Sequence, residues 1–451
     1  MIQQTQLTRL GLFNAKVPRY TSYPTAPHFS TGVQERQFED WIKAVPAGSS
    51  ISLYVHIPFC RRLCWFCACR TQGVRTGDPV RSYLGTLHDE IRKVAATLPP
   101  DVTLGRLHWG GGTPTLLDPE QIESLANVIS GAIPFSDEFE FSVEIDPNEV
   151  DDDRLDALAA AGMNRASIGI QDFDPKIQET IGRLQSFEIT QEVSQKLRQR
   201  GIHSLNTDIL FGLPFQDVAS ITDTTQKLLS LSPDRVALFG YAHVPWMAKR
   251  QTMIPEEHLP SSVQRLDLYR AARELFLDAG YKAIGIDHFA KPGDSLHKAQ
   301  ETGHLRRNFQ GYTDDTFETL IGLGASAISK FREGYVQNAS ATASYLAQIR
   351  EGRFASARGH AFTPLDRLRG RVIEELMCNF KVDLAKIEAE LETVPADLRS
   401  EMLRVQTKYA PFVTLSDTQL EITEAGQSLT RMIAHEFDAY SMDAAGHSLA
   451  I

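Results

Sequence analysis

Short apolar segments alternate with amphipathic segments through the central part of the chain. Strands are predicted at Ile51–Ile57 and Leu104–Trp109, and the apolar side chains between them recur at the spacing of a helix. A series of strand–helix units of this length indicates a parallel sheet. Six units are enough for a partial (βα)6 TIM-like barrel, fewer than the eight of a closed one, and the chemistry of such folds sits at the carboxyl ends of the strands. The predicted fold class is therefore α/β, with further strands near 139–145, 165–170, 204–210 and 235–240 and helices near 151–161, 186–200 and 217–230.

The pattern changes on both sides of this region, which predicts three parts. Residues 1–48 are predicted to form an N-terminal arm. Within it, the stretch Pro18–Thr25 has two prolines and no clear period and is predicted to be extended. The barrel is predicted over 49–340. Residues 341–451 are predicted to form a mainly helical C-terminal domain that resembles a winged helix.

The charge balance bears on what such a domain could bind. A winged helix suggests DNA, but the chain carries 46 basic and 57 acidic residues and a net charge of -11, which argues against a nucleic-acid or anionic membrane partner. No stretch is apolar enough to span a membrane, and Met1–Lys16 has no apolar core segment, so no signal peptide is expected. The expected location is the cytoplasm.

Four of the five cysteines lie within ten residues of one another. Cys60, Cys64 and Cys67 have the spacing C-x3-C-x2-C just after the first predicted strand, and Cys69 follows. Three thiolates on one loop can hold three irons of a [4Fe–4S] cubane and leave the fourth iron open, as a catalytic site requires. The alternative is a structural zinc site completed by Cys69 or a histidine, but no second ligand pair is present. Cys378 is isolated in the sequence and is interpreted as structural.

The longer motif around these cysteines makes the chain recognisable. The string H-I-P-F-C-x3-C-x-F-C-x-C resembles the radical S-adenosylmethionine (SAM) superfamily, and within it the oxygen-independent coproporphyrinogen III oxidases. The resemblance extends over nearly the whole chain. Its other motifs are P-R-Y-T-S-Y-P-T at 18–25, W-G-G-G-T-P-T at 109–115, E-I-D-P at 144–147, G-I-Q-D-F at 169–173, D-I-L-F-G-L-P at 208–214, D-H-F-A at 287–290 and N-F-Q-G-Y at 308–312.

Two features at the ends of predicted strands are compatible with a ligand site, and the resemblance favours that interpretation over a structural one. Gly110–Gly112 permits a close backbone approach to a ligand, although such a triplet can also be a plain turn. Glu144 ends an apolar strand, where a carboxylate is costly unless it meets donors such as ribose hydroxyls, or alternatively a nearby cation.

The resemblance implies which residues bind SAM, and it implies two SAM molecules in one site. The cluster would be held by Cys60, Cys64 and Cys67, and Tyr54 and Cys69 are the remaining candidates for catalysis. His56 is interpreted as structural. The first SAM would contact Tyr54, Gly111, Glu144 and Ile328, and the second would contact Phe66, Gly112, Thr113, Gln171, Arg183, Asp208 and Ala242.

The resemblance also implies the reaction, which is oxidative decarboxylation of two propionates of coproporphyrinogen III to give protoporphyrinogen IX. It implies an electron donor such as a flavodoxin or ferredoxin system, and a monomer. Because the substrate carries four carboxylates, a pocket with basic residues is expected, and Arg19, Arg306 and Arg307 are candidates. The alternative within the superfamily is a related haem-binding or haem-modifying protein, which would usually lack the equivalents of Cys69 and Arg19.

Overall fold

The structure is a computed structural model that describes residues 2–391, 397–440 and 450, with side chains described from Thr5 onward. The strands are β1 Ser50–Ile57, β2 Phe59–Cys60, β3 Gln72–Gly73, β4 Thr103–Gly111, β5 Phe135–Ile145, β6 Arg165–Gln171, β7 Ser204–Phe211, β8 Arg235–Gly240, β9 Lys282–Ile284, β10 His288–Ala290, β11 Arg306–Asn308, β12 Gly311–Thr313, β13 Leu320–Leu323, β14 Ile328–Phe331, β15 Gly334–Asn338, β16 Ser356–Ala361, β17 Lys381–Asp383, β18 Val413–Leu415 and β19 Gln419–Ile422. The helices are α1 Ile2–Arg9, α2 Glu35–Lys43, α3 Asp78–Thr97, α4 Pro119–Ala132, α5 Asp152–Ala160, α6 Pro175–Ile181, α7 Phe187–Gln199, α8 Val218–Leu231, α9 Ser262–Asp278, α10 Ser295–Glu301, α11 Thr342–Arg350, α12 Pro364–Asn379, α13 Leu384–Leu391, α14 Leu398–Tyr409 and α15 Thr430–His435.

The six predicted strands form the parallel centre of one large sheet, in the order β1-β4-β5-β6-β7-β8. Each is followed by a helix, so the partial (βα)6 barrel is confirmed. The sequence pattern did not predict the strands that extend this sheet. β13 pairs in parallel with the free side of β1 and continues into antiparallel β14, β15 and β16, while β10 and β9 extend the β8 side in antiparallel orientation.

The helices of the barrel begin at residues that cap them. Asp118 accepts the backbone N–H of Gln121 and completes a capping box, with Pro119 in the first turn as the sequence predicts. Asp151, Ser186 and Asp217 cap α5, α7 and α8 in the same way. A side-chain cap of this kind contributes about 1 kcal/mol, because it satisfies backbone donors that have no partner within the helix.

The C-terminal part has a hydrophobic core of its own. Helices α12–α15 pack around the three-stranded antiparallel sheet β17-β19-β18, as the resemblance to a winged helix leads one to expect. The N-terminal segment contributes Leu7, Leu12, Val17, Tyr20 and Tyr23 to this second core.

The two predicted domain boundaries stay predictions, but the packing favours different limits. The predicted arm contains α1 and α2, and α2 buries Phe38 and Ile42 in the barrel core. α11 also packs on that core through Tyr345, and β16 is a strand of the large sheet. The second core therefore begins near α12, about twenty residues after the predicted boundary at 341. Across the described ranges, no helix has both the length and the apolar character needed to cross a bilayer.

Candidate active site

The predicted site residues gather at the carboxyl edge of the parallel strands. Tyr54 lies on β1, Glu144 near the end of β5, Gln171 at the end of β6 and Asp208 within β7. The register brings neighbours together, since Gly111 at the end of β4 pairs with Ile57. This is the edge at which the sequence pattern predicts the chemistry.

The glycine loop after β4 is held close to the neighbouring backbone and side chains. Gly112 N–H donates to the Ile57 carbonyl at 2.8 Å and Thr113 N–H donates to the Phe59 carbonyl at 2.8 Å. A Cβ atom on Gly112 would lie 2.4 Å from the Phe59 carbonyl oxygen, and one on Gly111, whose φ is +111°, would lie 2.4 Å from His56 Nδ1. Only glycine fits at these two positions, because the loop packs tightly against its neighbours. A plain turn would not need such close packing, so the loop is interpreted as part of the site.

Glu144 is held by its neighbours but remains open to the site. Its Oε2 accepts the Gly111 N–H at 3.1 Å, and its Oε1 lies 3.5 Å from His108 Nε2. Burial acts to raise the pKa of Glu144, but the hydrogen bonds from His108 and Gly111 outweigh it and lower the pKa. Because the side chain is 43% exposed, the ionised carboxylate can still accept hydrogen bonds from a ligand.

Tyr54 stands next to this carboxylate. Its ring stacks on His108 at 5.7 Å between centroids, and its hydroxyl lies 3.0 Å from His56 Nδ1. His56 Nε2 in turn lies 3.1 Å from the Arg70 carbonyl oxygen. Burial, followed by the charge of Glu144, raises the pKa of Tyr54, so the phenol stays protonated.

The cysteine loop, residues 60–69, is held by hydrogen bonds from two other segments of the chain. Trp65 N–H donates to the Ile181 carbonyl at 2.9 Å. On the other side, Gln251 Nε2 donates to the carbonyls of Phe66 at 2.7 Å and Ala242 at 3.0 Å. Arg250 Nη2 donates to the Cys69 carbonyl at 3.0 Å. The loop is therefore positioned by α6 and by the segment after β8, and Gln251 joins two predicted SAM contacts, Phe66 and Ala242.

Arg183 links the cysteine loop to the strand ends. Its Nη1 lies 3.6 Å from Cys64 Sγ and 3.6 Å from Asp146 Oδ2, and its Nη2 donates to the Gly169 carbonyl at 2.8 Å. Burial acts to lower its pKa, but the charges of Asp146 and Cys64 raise it overall, so Arg183 keeps its positive charge. A fixed cation beside a cysteine stabilises the thiolate, which is the form that binds metal.

Gln171 and Asp208 complete the edge of the site. Gln171 has φ +70°, in the left-handed region that a non-glycine residue seldom adopts. Asn206 Nδ2 donates to Asp208 Oδ1 at 3.0 Å, and burial followed by the charge of Glu144 raises the pKa of Asp208 to about 6. A strained backbone and a carboxylate with a raised pKa, side by side, are typical of a binding site.

The three thiols of the C-x3-C-x2-C motif fit a shielded iron–sulfur cluster. Cys60, Cys64 and Cys67 are partly buried, whereas Cys69 is exposed. Cys69 N–H points at Cys67 Sγ at 3.4 Å, and the Cys69 side chain also donates to that sulfur, which lowers the pKa of Cys67. Cys69 therefore stabilises the thiolate form of Cys67, which is a predicted cluster ligand. Among the described side chains, no three Cys, His, Asp or Glu groups converge on a single ion, whereas the thiolates of a cubane each bind a separate iron.

The comparisons with known proteins agree with this geometry. Residues 54–228 match the Radical SAM superfamily. The chain is 58% identical to the oxygen-independent coproporphyrinogen III oxidase of Paracoccus denitrificans, over 100% of both chains. The chain belongs to the oxygen-independent coproporphyrinogen III oxidases. It is also 39% identical to the oxidase of the same name from Escherichia coli K12, over 96% of this chain and 95% of that protein.

A solved structure of the family has the same fold. Coproporphyrinogen III oxidase (HemN) from Escherichia coli, described as a radical SAM enzyme, superposes with a TM-score of 0.89 at 37% sequence identity, over 95% of this chain and 100% of that one. Membership of this oxidase family implies SAM and a [4Fe–4S] cluster as cofactors. Cys60, Cys64 and Cys67 fit the cluster, and the loop formed by Gly110–Gly112 fits the amino-acid end of SAM.

The remaining predicted residues lie in different parts of the fold. Tyr54 pairs in register with Gly322, and Ile328 packs against that glycine, because a Cβ atom there would lie 2.5 Å from the Ile328 carbonyl oxygen. Cys378 is buried in a small apolar cluster away from the other cysteines, in agreement with a structural role. Arg19 and Arg307 line one cavity, whereas Arg306 forms an ion pair with Glu374 at 3.8 Å. The individual roles of all these residues stay predictions.

The sequence pattern did not reveal four residues of this oxidase site. His108 contacts both Tyr54 and Glu144. The only sequence feature that could have indicated it is the alternation of polar side chains at 106 and 108 in an otherwise apolar strand. Asp146 stood out only as part of a motif, although it pairs with Arg183. Arg250 and Gln251 lie in a segment without periodicity, so nothing in the pattern indicated that they hold the cysteine loop.

Replacement of Glu144 or Asp208 by alanine is expected to weaken SAM binding without removing iron, because neither residue is a cluster ligand. Loss of a hydrogen bond to a charged group costs about 1.5–3 kcal/mol, or roughly 10- to 150-fold in Kd. Anaerobic equilibrium dialysis with labelled SAM, together with iron analysis, measures both quantities. Glu138→Gln is the matched control, since Glu138 is an exposed acid on the same strand. Iron loss in both alanine variants would show that these residues are misplaced.

Proposed function

We propose that this chain catalyses the oxygen-independent oxidative decarboxylation of two propionates of coproporphyrinogen III, giving protoporphyrinogen IX in haem and porphyrin biosynthesis. The observation that carries the proposal is likeness over the full length, since relatives of this name match the barrel, the arm and the C-terminal part alike. A related haem-binding or haem-modifying protein would usually lack the equivalents of Cys69 and Arg19. Both residues are present here, and this disfavours that alternative: Cys69 contacts Cys67, and Arg19 contacts the end of β8.

The bound cofactors would supply an electron and a carbon-centred radical that removes hydrogen from the propionate. The chain's own residues position the reactants and exclude water and oxygen. Cys60, Cys64 and Cys67 would hold the cluster through three thiolates. The Gly111 backbone and the Glu144 carboxylate, which lie side by side, would both contact the cluster-bound SAM.

Tyr54 is the candidate for a direct part in the chemistry. Its phenol stays protonated, and its orientation is fixed by the ring of His108 and by Nδ1 of His56. A phenol held in this way can donate a hydrogen bond at the reacting centre. Cys69 is the second candidate, and its exposed position would allow contact with a ligand.

A second SAM would occupy the β6–β8 side of the site. Gln171, Arg183 and Asp208 surround this region, and Phe66 and Ala242 are joined across it by Gln251. The low-exposure carboxylate of Asp208 and the charged Arg183 suit a zwitterionic ligand, because they offer one partner for each charge. Two SAM molecules per site is therefore part of the proposal.

The remaining partners are proposed on chemical grounds. A flavodoxin or ferredoxin system would deliver electrons, and the exposed Trp246, Met247 and Met253 flank the segment that holds the cysteine loop. Such side chains offer an apolar contact face near the cluster. A reduced thiol cluster suits the cytoplasm, and the chain is proposed to act as a monomer.

The proposed function predicts that SAM cleavage depends on the porphyrinogen. Anaerobically reconstituted protein should bind about one [4Fe–4S] cluster per chain and, with reductant, should cleave SAM many times faster when coproporphyrinogen III is present. Methionine released from SAM is the quantity to measure. Equal rates with and without the porphyrinogen would contradict the substrate, and stoichiometric zinc without iron would contradict the cluster.

A further inference from the structure

A cavity of about 610 Å³ lies beside the proposed SAM site. Its walls come from the ends of β7 and β8, from α9, from the arm and from the C-terminal part. The described lining contains six arginines and three carboxylates, and its other residues include apolar side chains. The charged members are Arg19, Arg265, Arg270, Arg273, Arg307 and Arg431 with Glu274, Asp287 and Glu424, and the apolar ones include Phe211, Leu266, Tyr269 and Ile286.

The arginine partners with known distances are mostly backbone carbonyls. Arg19 Nη2 donates to the Gly240 carbonyl at 2.7 Å, Arg265 Nη2 to the Tyr241 carbonyl at 2.8 Å and Arg431 Nε to the Pro18 carbonyl at 3.0 Å. A carbonyl orients a guanidinium but does not neutralise its charge. These bonds therefore orient cationic groups along the wall of the cavity, where they attract an anion.

Arg307 has unused donors inside the protein. Its side chain is only 4% exposed, and Nε and Nη1 lie within hydrogen-bond distance of no acceptor in the described part of the chain. The nearest carboxylate oxygen with a known distance is Asp287 Oδ1 at 3.9 Å, and that oxygen already accepts from His288 at 2.7 Å. The third nitrogen, Nη2, donates to the Arg19 carbonyl at 3.4 Å. Buried guanidinium donors without acceptors are costly, so a carboxylate entering the cavity would stabilise Nε and Nη1.

The burial of several cations together supports the same interpretation. Burial, followed by the charge of Arg19, lowers the pKa of Arg265 to about 10. Burial, followed by Arg19 and Arg307, lowers the pKa of Arg431 to about 9. Charges held at this cost are typical of a binding site, because a bound anion would compensate them.

The cavity adjoins the place where SAM is proposed to bind. Gly240, in its wall, precedes Ala242 by two residues, and Phe211 follows Asp208 by three. At roughly 3.3 Å per residue along a strand, the two sites lie within about 10 Å of each other. A ligand of macrocycle size could therefore reach from one to the other.

We propose that this arginine cavity binds the propionate carboxylates of the porphyrinogen that are not reacting, while a reacting propionate faces the SAM site. The assignment rests on the proposed function and names the part of the protein that recognises the substrate. The forked guanidinium matches a carboxylate with two parallel hydrogen bonds, and the apolar lining offers contact to the pyrrole rings.

The test measures substrate binding and not turnover. Coproporphyrinogen III and its tetramethyl ester are dialysed anaerobically against the cluster-loaded protein with SAM, and the bound fraction is quantified as porphyrin after oxidation. Arg307→Gln and Arg19→Gln are each expected to raise the Kd of the acid by about 10- to 100-fold. Because the ester has no free carboxylates, its Kd for the wild-type protein is expected to be at least as high as the Kd of the acid for either variant. Iron content and SAM stoichiometry should not change.

Arg353→Gln is the control, because it removes the same charge at the surface, where Arg353 pairs with Glu351. An equal effect of Arg353→Gln, equal binding of acid and ester, or loss of SAM instead of porphyrinogen from Arg307→Gln would overturn the assignment. A failure of the proposed function would give a different result from a failure of this binding assignment. In that case the wild type binds the acid through Arg307 but does not decarboxylate it.

Discussion

Alanine at Cys60, Cys64 or Cys67 should abolish the iron–sulfur cluster, whereas alanine at Cys69 should leave it intact. Cys60 ends β2, and Cys64 and Cys67 lie on the loop between β2 and β3. All three are partly buried, with Arg183 beside Cys64. Cys69 is separated from Cys67 by Ala68 alone, and its N–H points at the Cys67 sulfur. Two residues this close seldom reach separate corners of one cubane, and a fourth thiolate would close the iron position that SAM needs.

Iron and sulfide content and the visible spectrum of anaerobically reconstituted protein measure this effect. The three ligand variants should retain almost no iron and no activity. Cys69→Ala should retain full iron and an unchanged spectrum while forming much less protoporphyrinogen. Cys378→Ala is the control, because that thiol is buried in a separate apolar cluster. Iron in Cys69→Ala as low as in Cys64→Ala would overturn the three-ligand assignment.

Gly112→Ala should abolish SAM binding. The added Cβ would lie 2.4 Å from the Phe59 carbonyl oxygen and 2.8 Å from the Ile57 carbonyl oxygen, and neither backbone atom can rotate away as a side chain can. The glycine loop would have to move off β1, and its hydrogen bonds to Ile57 and Phe59 would break. Loss of two hydrogen bonds and of the shape of the loop costs several kcal/mol, which is on the order of a 1000-fold loss in affinity.

Labelled SAM in anaerobic dialysis again gives the affinity, and circular dichroism reports whether the barrel still folds. Gly85→Ala provides the contrast, because a Cβ at Gly85 in α3 would meet no atom within 4 Å. That variant should bind SAM normally and be more stable by about 0.5–1 kcal/mol, as expected for alanine in a helix. Normal SAM affinity in Gly112→Ala would refute the role given to the loop.

The sequence predicted the barrel well because its strands and helices have strong local signals. The apolar side chains of β1 and β4–β8 are largely buried, and caps such as Asp118 mark where helices begin. The spacing of the cysteines likewise indicates the cluster, because the ligands of a cubane come from one short loop. In both cases the information lies in short segments of the chain.

The rest depended on contacts between distant segments, which periodicity does not encode. β13–β16 are short, and they are strands because β1 offers a free edge to β13. Arg250 and Gln251 matter only because the segment after β8 folds over the cysteine loop. Arg19 and Arg307 are 288 residues apart, and only the fold shows that they share a cavity and that Arg306 faces elsewhere.

The product formed from coproporphyrinogen III under anaerobic conditions, with SAM and a reductant, decides whether this chain carries out the proposed decarboxylation. We expect protoporphyrinogen IX with two molecules of carbon dioxide released per porphyrinogen, no product when SAM is omitted, and none from Cys64→Ala. Coproporphyrinogen III recovered unchanged, from protein that holds its full cluster and cleaves SAM, would contradict the proposed function.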